Sequence, residues 1–203
     1  APARLAHSVH EARVVRETYL AAKDKIATQM GTQIHAEPNY RRVVELIQGG
    51  AIGPVREAHV WCSRVGPNPQ PPKIDKPLEP PATFHWDLWL GPAPARPYHP
   101  SYHNGGCMGW EQWWDFGNGC IGDMGSHLID LPFWALKLRH PLTAEAAGDP
   151  PPGDPRTQHS YPHWLTARWD HPATDERPAV TLFWYDGVQR PPSPEGQDLT
   201  KWG

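Results

Sequence analysis

Apolar positions along this chain first follow the helical rhythm and later alternate. Ala12, Val15, Tyr19 and Ala22 recur at helical spacing, which predicts a helix running to about Lys23. Ser8-Val9-His10-Glu11 opens it as a capping box, in which serine hydroxyl and glutamate carboxylate can satisfy orphan backbone donors reciprocally. "KIATQM" reads as a short buried strand. Pro38 suits the first turn of a second helix. There Val43, Val44 and Ile47 form the inward stripe, and Gly49-Gly50 ends it. "GPVREAHVWCSRV" then reads as a strand, with Val55, Val60 and Trp61 its main apolar members. Helix, strand, helix, strand is the pattern of a wound α/β domain passing into something else.

The rhythm disappears between Gly66 and Pro81, a proline-rich loop long enough to suggest a function. A short helical turn follows at His85 to Leu90. "LTAEAAG", "HWLTARWDHP" and "PAVTLFWYDG" alternate as strands separated by turns, with no internal repeat. The expected class is therefore α+β: the tail of a Rossmann-type α/β domain at residues 1–53, then a domain with a mainly antiparallel open sheet at 54–203, C-terminally truncated. "REAHVWCS", "HWLTARWD" and "VTLFWYD" are expected in one sheet. The load of Trp164, Trp169, Phe183 and Trp184 predicts an apolar or aromatic outer face that associates.

Composition narrows the function. The formal net charge of −3 provides no basic field for nucleic acid. No apolar run reaches the roughly 20 residues of a membrane span. Hydrophobic residues make up only 38%, offset by 11 tryptophans that bury a large area each. Three widely spaced cysteines, Cys62, Cys107 and Cys120, suit a reducing compartment. The expected location is the cytoplasm, or the periplasm if an export leader precedes the chain. His99 with His103 and His159 with His163 have the spacing of helical zinc ligands, but Pro100 and Pro162 interrupt both segments, so no metal site is expected.

The chemistry concentrates in "GNGCIGDMGSHLIDLPFWAL". Offsets of four and seven return to nearly the same side of a helix, so Asp123, His127 and Asp130 are expected on one face. The glycines around its start allow close approach of a strand or a ligand. An imidazole near its own pKa can take a hydroxyl proton at neutral pH, and a nearby carboxylate stabilises the imidazolium. The aromatic patch Trp110, Trp113 and Trp114 could stack on a sugar ring, and Tyr102-His103-Asn104 provides polar groups suited to a polyol. Gln33, in a loop before the second helix, is a candidate cofactor or substrate contact.

"GDMGSHLID" preceded by "WWDFGNG" resembles the signature of the Gfo/Idh/MocA oxidoreductases. "LAHSVHEARVV", "NYRRVVELIQGGAIGPVREAHVW" and "FHWDLWLGPAPARPYHP" resemble further segments of that family, in its order. The resemblance implies hydride transfer between NAD or NADP and a sugar or cyclitol hydroxyl. It casts His127 as general base and Asp123 as the group that orients the substrate or the imidazole. Asp130, Trp114, His103 and Asn104 become substrate contacts, and Gln33 and Trp110 cofactor contacts. A homo-oligomer formed through the open sheet is also implied. The sequence departs from the family at three places. The family's Glu-Lys-Pro triplet falls on Pro2-Ala3-Arg4, Glu111 stands where many relatives have arginine, and no glycine-rich dinucleotide turn is present. The 203-residue chain alone is thus expected to be inactive and to bind NAD(P) weakly or not at all. An NAD-dependent glycosidase and a non-catalytic sugar-binding or assembly module are the alternatives.

Overall fold

The structure is a computed structural model that describes residues 6, 8–29 and 31–199. The Pro2-Ala3-Arg4 alignment lies outside the described residues. In chain order the elements are helices α1 (Val9–Ala22) and α2 (Pro38–Gln48), strand β1 (Glu57–Cys62), and helices α3 (Trp86–Leu90), α4 (Cys107–Trp110), α5 (Gly119–Leu128) and α6 (Asp130–Ala135). Strands β2 (Thr143–Asp149), β3 (Trp164–His171) and β4 (Val180–Asp186) complete the set. The strands form one sheet in the order β1-β4-β3-β2. β1 runs parallel to β4, and the other two pairings are antiparallel. Among the described residues the sheet is therefore mainly antiparallel, with β1 and β2 at its edges.

The capping box forms as expected: Glu11 N–H donates to the Ser8 hydroxyl and Ser8 N–H to the Glu11 carboxylate, both at 3.2 Å. The helix it opens keeps its apolar side in solvent, with Val9, Val14, Val15, Tyr19 and Leu20 all exposed. The "KIATQM" strand does not form over residues 25–29, where the backbone is irregular and Ile26 is exposed. A short extended segment needs a neighbour to pair its N–H and C=O groups, and no described strand lies beside it. α2 packs on α6, burying Val44, and the Gln48 amide donates to the Trp134 carbonyl at 3.2 Å.

Strand alternation divides the sheet into two faces. Ala58, Val60, Ala167, Trp169, Val180, Leu182 and Trp184 turn toward α5 and α6 and form the core with Cys120, Leu138 and Tyr161. Trp184 is fully buried. The intervening residues form the open face. The large aromatics named in the sequence thus separate by parity: Trp169 and Trp184 belong to the core, while Phe183 and Trp164 fall on the open side.

The run after Asn118 is two helices rather than one. Pro132 has no N–H for the Leu128 carbonyl, and its ring crowds that carbonyl, so the regular ladder lapses at Ile129. Ile129 keeps helical angles, φ −73° and ψ −23°, so the chain passes from α5 into α6 without a turn.

Candidate active site

The alternation of β1 continues past its end. Ala58, Val60 and Cys62 face the helices, and Arg64, two residues further, aims its guanidinium the same way. This is the carboxyl end of the parallel pair β1–β4, the end at which open α/β sheets expose their chemistry. Arg64 Nη1 donates to Asp123 Oδ2 at 2.5 Å and to the Glu111 carboxylate at 3.0 and 3.2 Å. Gln112 Nε2 donates to Glu111 Oε1 at 3.1 Å. Glu111 is 2% exposed, while Arg64 and Asp123 are half-buried, so the ion-pair cluster is a partly buried one.

Two glycines bring the parts together. The Gly119 N–H donates to the Glu111 carbonyl at 2.8 Å and so anchors the start of α5. A Cβ at Gly117 would stand 2.1 Å from that same carbonyl oxygen, a separation no side chain can adopt. Gly117 therefore serves close packing of backbone on backbone, while Gly119, Gly122 and Gly125 lie against side chains.

The cluster has one cation for two carboxyls. Burial pushes Glu111 up, to about 7, the neighbouring Asp123 pushes the same way, and Arg64 pulls back. Burial also opposes the charge on Asp123, but the bonds from Arg64 and Glu111 outweigh it and hold Asp123 below the ordinary aspartate range. Burial works against the Arg64 charge as well, and the two carboxyls outweigh that too. Near neutral pH, Asp123 is thus the ionised member and Glu111 shares a proton with solvent. His127, one turn beyond Asp123, adds to the pull that keeps Asp123 ionised. Its imidazole is half-buried, its Nδ1 is enclosed without a hydrogen-bond partner, and its carbonyl accepts the Tyr40 hydroxyl at 2.7 Å.

Asp130 continues the row into the first turn of α6, where the helix dipole favours a carboxylate. It accepts from His35 Nδ1 at 2.6 Å, and the His35 ring stacks on Trp134 with centroids 4.1 Å apart. A cavity of about 380 Å³ opens here, lined by Gln29, Gly31, Thr32, His35, Ala36 and Asp130. An aspartate on Nδ1 fixes the tautomer that leaves Nε2 able to accept a proton. A second cavity, of about 470 Å³ beside β1, has mostly apolar walls, including Ile47, Val55, Val60, Leu128 and Leu131, and offers little chemistry.

The other candidates lie apart from this row in their bonding. Trp114 Nε1 donates to the Thr157 carbonyl at 2.7 Å, and its ring meets Tyr161 edge-on, so it braces the 157–161 segment. His103 sits among Tyr98, Phe84 and Trp89, its Nε2 3.1 Å from the Tyr98 hydroxyl. Asn104 is exposed, Gln33 is exposed in the turn before α2, and Trp110 is half-buried at the end of α4. The sequence reading passed over Arg64 and His35. A basic residue at a strand end is an ordinary surface feature, and only the acidic residue at 111, where relatives carry a base, hinted at a buried cation nearby.

Residues 73–149 match the family model described as the C-terminal alpha/beta domain of the oxidoreductase family, Gfo/Idh/MocA. The matched stretch runs from the proline-rich loop through α5 and α6 to the end of β2. No curated protein matches the chain. Members of the family generally depend on NAD(P). The described residues do not fit a dinucleotide pyrophosphate. The N-termini of α1 and α2 already carry Glu11 and Glu37, and the Gly119 N–H at the start of α5 is taken by the Glu111 carbonyl. Among the described residues, no helix is long and apolar enough to cross a membrane.

Proposed function

We propose that this chain is the substrate-side part of an oxidoreductase that transfers hydride between NAD(P) and a sugar or cyclitol hydroxyl. The observation that supports it is the row Asp123–His127 beside Arg64. A carboxylate kept ionised by a half-buried arginine stands next to an imidazole on the helix that closes over the sheet. A hydroxyl carbon releases hydride only as its proton leaves, and this row can take the proton. Asp123 stabilises the imidazolium on His127 as it forms. The dinucleotide is the hydride partner, and its anchor belongs to residues other than those described. The His35–Asp130 pair favours a second assignment within the same reaction, with His35 as the base and the adjoining cavity holding the polyol.

NAD(P)H formation with a panel of sugars and cyclitols tests both, in a protein that joins this chain to a dinucleotide-binding domain. His127→Ala should lower the rate by roughly 10²–10⁴-fold, the usual contribution of a general base, with cofactor affinity little changed. Full activity in His127→Ala with a comparable loss in His35→Ala would move the base to His35. Turnover of glycosides without free NAD(P)H would indicate the glycosidase instead. We further propose that the open sheet face joins two copies of the chain. In support, His59 stacks on Phe183 at 4.7 Å and neighbours Tyr185, a half-buried aromatic ladder that no helix or strand covers among the described residues.

A further inference from the structure

Two thiols meet under the sheet, next to the proton-transfer row but outside it. Cys62 is the last residue of β1 and turns toward the helices. Cys120 lies in the first turn of α5, the helix that packs on that strand. Cys120 is 1% exposed, and half-buried Cys62 packs against the cluster built around it. Neither is in a disulfide. The Cys120 thiol acts on Cys62 most strongly, and the Arg64 backbone adds to it. With the Arg64 guanidinium adding its charge, these outweigh burial and the nearby Asp186, and Cys62 falls to about 6. Cys120 is pushed up by the same partner and by burial. Cys62 is the partly exposed member, beside Arg64, and Cys120 is the buried one behind it, so a peroxide reaches Cys62 first.

We propose that Cys62 and Cys120 are a redox site that closes to a reversible disulfide on exposure to a hydroperoxide, with Cys62 attacking and Cys120 resolving. In the first step the Cys62 thiolate attacks one peroxide oxygen. The O–O bond breaks, the leaving oxygen takes a proton to become water or an alcohol, and Cys62 becomes a sulfenic acid. In the second step the Cys120 sulfur attacks the Cys62 sulfur. The S–O bond breaks, and the hydroxyl leaves as water with the Cys120 proton. Two electrons pass from the thiols to the peroxide, and a thiol reductant reverses the change. The bond would join the end of β1 to the start of α5. Arg64 follows Cys62 by two residues and Asp123 follows Cys120 by three, so the disulfide spans the same two elements as the Arg64–Asp123 ion pair. The inference is independent of the substrate assignment.

The test uses the full chain with Cys107→Ser, which removes the exposed thiol on α4, treated with hydrogen peroxide and mapped by mass spectrometry. The expected product has lost two hydrogens, contains one cross-linked peptide joining residues 62 and 120, and returns to the starting mass with dithiothreitol. Cys120→Ser should stop the reaction at a sulfenic acid on Cys62 that dimedone traps. Cys62→Ser should leave Cys120 unreactive. On the folded Cys107→Ser chain, iodoacetamide should label Cys62 with a pH midpoint well below that of an ordinary thiol. If both thiols stay free to alkylate after peroxide, or if Cys120 oxidises while Cys62 does not, the proposal is overturned.

Discussion

The helix-facing and open faces of the sheet are made from the same four strands, one residue out of phase, and they differ in what stands against them. On the helix side Val180, Leu182, Trp184 and Asp186 are all buried under α5 and α6. On the other side Thr181, Phe183 and Tyr185 are only half-buried, with His59, Arg168 and Asp170 beside them. The covered face also admits charge, but only with every partner in place. Asp186 accepts the Tyr161 hydroxyl at 2.6 Å, the Trp184 indole at 3.0 Å and the Leu165 N–H at 2.6 Å. Charges on the open face pair next to water, as in Arg168 with Asp170. Burial thus decides the value of a contact more than its chemistry does.

The sharpest contrast compares neighbours on one strand. Trp184→Ala leaves a large void and removes the indole donor to Asp186, and should cost about 3–5 kcal/mol of stability in denaturant titration. Arg64→Ala strips the arginine from buried Glu111 and half-buried Asp123. Because Arg64 retains some exposure, the expected loss is about 2–3 kcal/mol, read as a fall in melting temperature. Equal melting temperatures for Arg64→Ala and the parent would break the claim that the cluster is energetically buried.

The third prediction concerns pH. Glu111 titrates near 7 when folded and in the ordinary glutamate range when unfolded. Between those values the folded chain holds a proton that the unfolded chain has lost, so stability should fall as pH rises through that window. Asp123, held low, acts in the opposite direction and only in more acid solution. Glu111→Gln should flatten melting temperature against pH from about 5 to 7.5. The smallest effect belongs to the open face. Phe183→Ala should change folding by less than about 1 kcal/mol, yet weaken self-association in sedimentation. A parent chain that stays monomeric at high concentration would remove the proposed role of this face.

Local signals carried far in the sequence. Ser8 and Glu11 cap α1 because a capping box needs only four consecutive residues. β3 and β4 each turn one side to the core, while β2, at the sheet edge, is exposed along nearly all its length. What the sequence hid was long-range. Arg64 acquires its meaning from Glu111 and Asp123, 47 and 59 residues away, and His35 from Asp130, 95 residues on. The "KIATQM" reading failed because a strand is a property of pairs. The one-face reading of Asp123, His127 and Asp130 rested on a helical advance that Pro132 interrupts but does not redirect.

The seat of Gly119 against Tyr161 limits how this sequence can drift. Gly119 has φ +63°, and a methyl there would land 2.0 Å from the Tyr161 ring. That ring is immobilised by its hydroxyl on Asp186. No single substitution at 119 is sterically open, and shrinking Tyr161 to make room would take from buried Asp186 one of its three donors. Position 119 can therefore change only together with 161, and a change at 161 is felt at 186. The trio thus records the shape of the fold and is independent of the proposed roles of His127 and His35.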